Sequence, residues 1–399
     1  MKNHMWILIL LMCTSLSRSD ALDASWNLFQ LVDRQVDQGF VLAPLPAVDL
    51  LAAVAYGSVG KTNEEFQTYL FHQMNREDLS KLAEDTSRSK PGFASITGFW
   101  KSQDLNIMAD YQKATREKWK VYWGTAPFEE DQTESADLIN NWFSAKTNQI
   151  VRKVILPGEI SPNTDLIGIN VCRFKAAWKE NLFSAAKTDF AVFHKSKEEK
   201  FPVAMMQGQF RAHYYQDENL KASSLPFRGN GISLMLILPH HPADFDSFRE
   251  NIDSKYFQKI LSEAKMQKLS FQLPKVRATM RLNLREILIN SGLKTPFYPT
   301  SETDFQYING NLPEPLYISK AQQQLEVLWN EKGAEATAIT IFEGEPFGAP
   351  PTPDPNSFHP FIVNHPFVFV IYTTDKKEML FAGFISDPSQ MIPSDDNRP

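Results

Sequence analysis

The sequence predicts one α+β domain, and three features of the chain support this prediction. Strand-like and helix-like segments follow one another without the regular alternation that a doubly wound parallel sheet requires. Neither an internal repeat nor a long linker divides the 399 residues. With 43% hydrophobic and 22% charged residues, the chain also has the composition of a globular protein with a sizeable core.

The N-terminal residues 1–19 are predicted to form a secretory signal peptide. Lys2 and His4 precede an apolar run at 6–13, which is too short to span a bilayer, and the small residues Ser17 and Ser19 suit cleavage. No later segment of the sequence approaches membrane-spanning length. The sequence therefore predicts a secreted, extracellular protein without a membrane anchor.

Charge and cysteine content narrow the class of protein further. The net charge is −6 and no dense stripe of Lys and Arg is present, so nucleic acid is not an expected partner. Cys13 would leave with the signal peptide, and Cys172 would then be the only thiol. It lies in the strand-like run 166–172 and is predicted to be buried and inert, so stability must come from the core rather than from disulfides.

Apolar periodicity predicts the positions of the secondary-structure elements. The helical segments are 24–38, 48–56, a helix capped by 62–65, 76–90 with its loop, and 136–149. In the last of these, Leu138, Trp142 and Ala145 are predicted to form the apolar face. The strand segments are 40–44, 94–100, 166–178, 223–227, 232–238, 269–273, 367–372 and 379–385.

The stretch 325–361 combines features of a strand and of an exposed loop. Residues 325–330 alternate as a strand. The even positions from 334 to 344 then carry no charge, whereas the odd positions include Glu335, Glu343 and Glu345. In an extended chain these two sets face opposite sides. Prolines at 350, 351, 353 and 355 exclude the end of the stretch from a sheet interior. The first half is therefore a loop that could also form a half-buried strand.

This stretch resembles the reactive-centre loop of the serpins. The residues that resemble the serpin hinge are Glu331, Lys332, Gly333, Ala334, Glu335, Ala336, Thr337 and Ala338. The runs 364–369 and 380–388 resemble the carboxy-terminal signature of the family. The resemblance covers residues 22–390 and implies a single serpin domain with three β-sheets and about eight or nine helices. It also implies an exposed reactive-centre loop at about 333–361, followed by a polar tail at 391–399.

The resemblance implies a suicide-substrate inhibitor of a serine protease rather than an enzyme. In this family a protease cleaves the loop, and the freed strand inserts into the large sheet while the protease remains acylated. Counting along the loop from Gly333, as the family does, places the reactive bond at Phe347–Gly348. Because the loop is several residues longer than usual, the bond could shift toward Phe342 or Phe358.

The loop composition predicts which class of protease is inhibited. No Lys or Arg occurs between Lys332 and Lys376. Trypsin-like proteases carry an acid in the primary pocket, which requires Lys or Arg in the substrate. A target with non-basic specificity, chymotrypsin-like or elastase-like, is therefore expected.

Five further positions are expected to control the opening of the sheet, and several depart from the family pattern. Ala43 and Pro46 stand where the family's early motif commonly carries serines. Asn170 matches the family at the sheet centre, but Gln323 occupies the position of a histidine. Trp178, expected beneath the point where insertion starts, matches. The altered set could ease opening, permit spontaneous insertion or polymerisation, or keep the sheet closed.

Other functional sites are not predicted. The chain has no Gly-x-Ser-x-Gly elbow, no His-Glu-x-x-His pair and no phosphate-binding glycine loop. No cofactor or metal is expected. The protein is expected to be a monomer. Heparin binding is not expected either, because Lys81, Arg88 and Lys90 are outnumbered by nearby acids. The alternative function is a non-inhibitory serpin-fold carrier or binding protein.

Overall fold

The computed structural model describes residues 17–36, 39–72, 74–85, 92–149, 151–229, 231–310, 315–334 and 358–389. It confirms the predicted α+β class with three β-sheets. The α-helices of the described residues are α1 (Ser17–Asp33), α2 (Pro44–Tyr56), α3 (Gly60–Phe66), α4 (Arg76–Asp85), α5 (Ala109–Lys118), α6 (Gln132–Lys146), α7 (Phe245–Asn251), α8 (Ser254–Glu263), α9 (Leu284–Asn290) and α10 (Gln306–Asn309).

The strands divide into sheets of nine, five and two strands. They are β1 (Phe40–Leu42), β2 (Phe93–Ser102), β3 (Tyr122–Ala126), β4 (Leu166–Phe174), β5 (Ala176–Ala177), β6 (Asp189–His194), β7 (Lys200–Gln216), β8 (Leu220–Pro226), β9 (Ile232–Pro239), β10 (Lys265–Pro274), β11 (Val276–Asn283), β12 (Ile318–Trp329), β13 (Gly333–Ala334), β14 (His359–Ile362), β15 (Phe367–Thr373) and β16 (Met379–Ile385).

The five-stranded sheet positions the candidate site. Its order is β11-β12-β4-β2-β3, and its two central strands, β12 and β4, run parallel to each other. Their register places Gln323 opposite Asn170. The outer neighbours β11 and β2 are antiparallel to the central strands.

Strand β4 is buried almost throughout, because helix α6 covers one face and helix α2 together with the nine-stranded sheet covers the other. On one face Ile167, Ile169 and Val171 share a core cluster with Ile139 and Phe143 of α6. On the other face α2 approaches closely, since a Cβ added at Gly168 would lie 3.1 Å from Cδ1 of Leu50. Helix α2 was predicted to be buried all round, and every residue from Pro44 to Ala55 is buried.

The nine-stranded sheet runs in the order β1-β16-β15-β9-β8-β7-β10-β14, with β6 paired to β7. The tail strands β15 and β16 are buried at every position, which agrees with the apolar runs that predicted them. Strand β14, which follows the reactive-loop segment, is parallel to β10. The chain therefore returns to the body of the protein at His359.

Several element boundaries differ from the predicted ones. Helix α1 begins at Ser17 and ends at Asp33, so it overlaps the predicted segment 24–38 but begins and ends earlier in the chain. Helix α2 begins four residues early because Pro44 occupies its first turn, where a missing N–H costs nothing. Helix α3 already begins at Gly60, so residues 62–65 lie inside the helix rather than at its cap.

The predicted apolar face of α6 was wrong. Leu138 is 41% exposed and Ala145 is exposed, whereas Ala136, Ile139 and Phe143 are fully buried. The three buried residues are spaced three and four positions apart, so they form one apolar stripe along the helix. This stripe is displaced by about one residue from the predicted face. Of the helices in the described ranges, none is both long and apolar enough to cross a membrane.

Candidate functional site

The hinge begins with a tight turn after β12. The N–H of Asn330 donates to the carbonyl of Gly333 at 2.9 Å, and the N–H of Gly333 donates back at 3.1 Å. Gly333 has φ +121°, and a Cβ added to it would lie 2.3 Å from the carbonyl oxygen of Ala176. Glycine is therefore required here both by backbone conformation and by the close approach of the neighbouring strand.

The first two residues after this turn pair with strand β5, which follows β4 along the chain and forms a separate two-stranded sheet with them. Gly333 lies opposite Ala177 and Ala334 opposite Ala176, in an antiparallel pair that joins β13 to β5. The N–H of Trp178 also donates to the carbonyl of Lys332 at 3.2 Å. Ala334 is only 1% exposed. The side chain at position 334 must therefore be small, as the alternation predicted.

Glu331 anchors the turn to two neighbouring segments. Its Oε1 accepts hydrogen bonds from Nζ of Lys275 at 2.7 Å and from Oγ1 of Thr188 at 2.6 Å. Burial opposes ionisation of this carboxyl, but the bonds from Lys275 and Thr188 outweigh it and lower the pKa of Glu331. Neither Lys275 nor Thr188 was predicted to belong to the site, and no local pattern around either residue identifies it.

Trp178 closes the end of the sheet from below. Its indole ring is 2% exposed and stacks on Phe227, with ring centroids 4.7 Å apart and planes inclined by 10°. The indole Nε1–H donates to the carbonyl of Asn330 at 2.9 Å. The predicted position of Trp178 under the start of the hinge is therefore occupied by a ring that contacts the hinge backbone directly.

The sheet centre is joined by side-chain amides. Nε2 of Gln323 donates to Oδ1 of Asn170 at 2.9 Å, which links β12 to β4. The same amide also holds the backbone of Ala43: its Nε2 donates to the carbonyl at 2.9 Å, and its Oε1 accepts from the N–H at 2.8 Å. A glutamine thus replaces the expected histidine with three hydrogen bonds that connect both central strands to the start of α2.

The positions without hydroxyls are accommodated by the backbone. Ala43 is the N-cap of α2 and makes no side-chain cap, yet its N–H is satisfied by Gln323. Pro44 and Pro46 lie in the first turn, where the N–H groups of a helix have no internal partner. Two prolines therefore remove two donors that would otherwise need a serine or a water.

Asn170 is held on its other side by strand β2. Its Nδ2 donates to Oγ1 of Thr97 at 2.9 Å and to Oγ of Ser95 at 3.0 Å. Cys172 is buried, as predicted, and its thiol contacts Oδ1 of Asn170 at 2.8 Å. Burial raises the pKa of Cys172, so the thiol stays protonated and can donate this bond. Ser95 and Thr97 were not predicted, although their alternation along β2 is visible in the sequence.

Several predicted site residues lie outside the described residues. These are Glu335, Ala336, Thr337 and Ala338 of the hinge and Phe347 and Gly348 of the reactive bond. The described residues of the hinge, Glu331 to Ala334, lie together with Trp178 at one end of the sheet. Asn170, Gln323 and Ala43 are joined by hydrogen bonds at its centre, and Pro46 lies in the adjoining first turn of α2. Among the described residues, no group of three His, Cys, Asp or Glu side chains could hold a metal ion.

Comparison with known proteins identifies the family. The family model described as Serpin (serine protease inhibitor) matches residues 20–388. The chain is a serpin. A serine protease inhibitor of Cyanea capillata is 28% identical over 366 residues, which are 88% of this serpin and 93% of that relative. A putative non-inhibitory serpin-10 of Oryza sativa subsp. japonica is 24% identical and covers 88% of this serpin and 94% of its own length.

The solved structures agree with the fold. Mouse protein-Z dependent protease inhibitor superposes with a TM-score of 0.80 at 20% sequence identity, over 93% of this serpin and 97% of that chain. Identity at this level shows the fold alone. Serpins as a family are protease inhibitors rather than catalysts.

Proposed function

We propose that this serpin is a secreted suicide-substrate inhibitor of a serine protease with non-basic specificity. The observation that carries the proposal is the antiparallel pairing of Gly333 and Ala334 with Ala177 and Ala176. The segment that would insert after cleavage has already begun to pair in the required direction. It begins at the end of the sheet where β4 and β12 meet.

The pairing of the central strands supports a gain in stability on insertion. Strands β4 and β12 are parallel and bonded directly to each other. A strand that continued β13 would run antiparallel to both, so one parallel pairing would be replaced by two antiparallel ones, which are slightly more stable per residue. About a dozen new backbone hydrogen bonds at roughly 0.5–1.5 kcal/mol each would give on the order of 10 kcal/mol.

The inward face of the loop segment fits a buried position. Ala334 is buried against the sheet, and Ala336 and Ala338 follow it on the same face of an extended chain. Residues 335 to 338 would thus continue the hinge into the sheet with their charge directed outward. A bulky or charged residue on the inward face would stop the insertion at that point.

The reactive bond is proposed to be Phe347–Gly348. An aromatic side chain suits an apolar primary pocket, and no Lys or Arg lies between Lys332 and Lys376. Phe358 directly precedes β14, which is held by β10 from His359 onward. A protease would have little free chain there, so Phe342 remains the main alternative to Phe347.

Secretion is proposed from the sequence of residues 1–19. Helix α1 begins at Ser17, so cleavage at Ser17 or Ser19 would remove only its first residues. The serpin domain is proposed to extend over residues 22–390. The target protease would be the partner, in a covalent acyl complex, and the inhibitor would act as a monomer without a cofactor or heparin.

One experiment tests this function. The protein is incubated with chymotrypsin and with elastase, and the products are separated by SDS electrophoresis. The proposal predicts a stable complex with at least one of them and cleavage at Phe347–Gly348, located by mass spectrometry of the released peptide. Trypsin is the matched control and should form no complex through the loop. Cleavage within the loop by chymotrypsin and elastase without any complex would contradict the proposal.

A second candidate function is that of a non-inhibitory carrier, and one cavity favours it. The cavity, of about 500 Å³, lies between strands β7 to β9 and helix α8. Its lining includes Leu225, Met235 and Ile260, together with the polar ends of Tyr372 and Lys377. The lining of this cavity is about equally polar and apolar, so it would suit an amphipathic small molecule. This candidate gains weight if the loop is cut without complex formation.

A further inference from the structure

The segment that connects α6 to β4 is bonded to β12, on the far side of the seam that insertion must open. We name residues 151–165 the crossing segment. It is held by α6, because Oδ1 of Asn140 accepts from the N–H of Val154 at 2.7 Å. It is also held by β12, because Nε2 of Gln322 donates to the carbonyl of Val154 at 2.6 Å. The crossing segment therefore spans the seam between β4 and β12.

An ionic link at Glu159 joins the crossing segment to the same side of the seam. Oε1 of Glu159 accepts from Nζ of Lys320 on β12 at 3.0 Å and from Nη2 of Arg281 on β11. The side chain of Lys320 is only 13% exposed. Burial lowers the pKa of Lys320, although the bond to Glu159 acts in the opposite direction. An ammonium group at such a position requires a carboxylate beside it.

The turn at the hinge fixes the register that an inserted strand would have against β12. Asn330 lies opposite Gly333 in this turn. In an antiparallel pair, each step forward on one strand is matched by a step back on the other. Continued from the turn, the pairing places Glu343, which lies outside the described residues, opposite Lys320.

The register against β4 can be obtained independently. In the pairing of β13 with β5, Gly333 lies opposite Ala177, which follows β4 along the chain. Continued along β4, this pairing places Glu343 opposite Ile167. Lys320 and Ile167 are already partners in the closed sheet. The two registers therefore agree, and both place Glu343 between Ile167 and Lys320.

The sizes of the side chains along the seam agree with this register. Phe342 would lie between Ala321 and Gly168, which are both small and lie opposite each other in the closed sheet. Closer to the hinge, Ala338 would lie opposite Leu325, which is large. Large residues of the loop thus meet small residues of the sheet, and small ones meet large. Side-chain volume therefore does not oppose insertion as far as position 343.

Insertion would act directly on the bond between Glu159 and Lys320. It places a further strand between β4 and β12, which moves these strands apart by about 5 Å. The crossing segment is continuous with β4, whereas Lys320 belongs to β12. In the inserted form the carboxylate opposite Lys320 would be that of Glu343, with the Cβ atoms about 5 Å apart. The other neighbour of Glu343, Ile167, is apolar and 1% exposed.

We propose that Lys320 changes its carboxylate partner during loop insertion, from Glu159 in the uncut protein to Glu343 in the cut protein. This inference rests on the proposed function, since it requires the loop to insert. It gives Lys320 two roles. Lys320 holds the crossing segment over the closed seam, and it later neutralises the one acid that the loop carries to this depth beside a buried apolar residue.

The test is a double-variant cycle between positions 343 and 320, measured as the midpoint of guanidinium unfolding. The loop is cut with thermolysin, because a metalloprotease forms no acyl intermediate and is not trapped, and mass spectrometry identifies the protein cut beyond Glu343. In the cut form Glu343→Gln should lower the midpoint by about 0.5 M. In the Lys320→Gln background the same change should lower it by less than about 0.1 M. In the uncut form the two substitutions should be additive.

The matched control is Glu345→Gln, which removes the next acid on the same face, opposite Ile318 rather than a cation. It should leave both midpoints unchanged. Glu159→Gln should lower the midpoint of the uncut protein more than that of the cut protein. An equal effect of Glu343→Gln with and without Lys320, in a cut protein that is more stable than the uncut one, would overturn this proposal alone. A cut protein no more stable than the uncut one would contradict the proposed inhibitory function itself.

Discussion

Two regions along the proposed insertion path, the hinge end and the sheet centre, are held by different kinds of contact. At the hinge end, Gly333 and Ala334 pair with Ala177 and Ala176 through backbone and without large side chains. At the sheet centre, Gln323 and Asn170 join the two parallel strands through side-chain amides. The hinge end is therefore a place where a strand can start. The centre is a place where the sheet must first release specific hydrogen bonds before a strand can pass.

The largest expected effect on complex formation comes from a substitution that prevents the loop from inserting at the hinge end. Ala334→Glu would place an unpaired carboxylate at a position that is 1% exposed, at a cost of roughly 3–5 kcal/mol. The variant should be cut by the target protease without forming the SDS-stable complex. Ala336→Arg should behave alike, because an extended chain would place position 336 on the same face as position 334.

The matched control is Thr337→Glu, which places the same charge on the outward face. It should retain complex formation. An undiminished yield of complex from Ala334→Glu would contradict the assignment of the inward face.

The next largest effect is expected at the sheet centre. Gln323→Met keeps the length of the side chain but leaves the N–H of Ala43 without its partner. The carbonyl of Ala43 keeps its bond from the N–H of Ala47, and Oδ1 of Asn170 keeps its bond from the thiol of Cys172. One unsatisfied buried donor and two lost hydrogen bonds cost about 3 kcal/mol in total. The midpoint of urea unfolding of the uncut protein should fall accordingly.

Gln323→His is the control at this position, since an imidazole has the hydrogen-bonding groups that the family commonly places there. Its loss of stability should be smaller than that of Gln323→Met. A midpoint in Gln323→Met equal to that of the wild type would mean that the amide bridge does not hold the centre.

A comparable effect on stability, this time dependent on pH, is expected from His365, which lies outside both regions. Burial, together with the positive charges of Lys221 and His194, lowers the pKa of His365 to about 4, although its bond to the carbonyl of Pro239 acts in the opposite direction. An unfolded histidine has a pKa of about 6.5. Between these values the unfolded chain binds a proton that the folded protein does not bind.

Stability is therefore complete above pH 6.5 and decreases as the pH falls towards 4, by roughly 3 kcal/mol from His365. Urea unfolding at several pH values measures this slope. His365→Gln should flatten it, whereas His213→Gln, at an exposed histidine, should leave it unchanged. A full slope in His365→Gln would show that another group is responsible. Because the pKa of Glu331 is lowered from the ordinary value, this residue adds to the slope only near the lower end of the range, where an unfolded glutamate begins to bind a proton.

The smallest effect is expected from the anchor of the hinge turn. Glu331→Gln weakens the bonds to Lys275 and Thr188, whose partly exposed ion pair contributes about 1 kcal/mol. The unfolding midpoint should fall slightly, and Lys275→Gln should lower it by a similar amount. Additive losses in the double variant would contradict a direct bond between the two side chains.

The sequence was sufficient to predict those features that depend on local pattern. Periodicity, which the backbone itself imposes, was enough to predict the strand character of β12, the inward orientation of Ala334 and the burial of the tail strands β15 and β16. The seventeen-residue strand β7 was not predicted, because its polar and apolar residues do not alternate cleanly and it contains Pro202 and Gly208.

Contacts between distant segments could not be predicted from the sequence. Thr188 lies 143 residues before Glu331, and no periodicity relates the two. The effect of Gln323 was also uncertain, since the loss of a histidine and two serines could have left the centre without polar contacts. The length of the glutamine side chain decides the outcome, because it reaches both Asn170 and the backbone of Ala43.

The structure of the loop-cleaved protein tests the central claim most directly. The account predicts a six-stranded sheet in which the segment from Ala334 onward lies between β4 and β12, antiparallel to both. In that form the 2.9 Å hydrogen bond between Gln323 and Asn170 must be broken. A cleaved structure that kept this bond, with β4 and β12 still paired directly, would contradict the account.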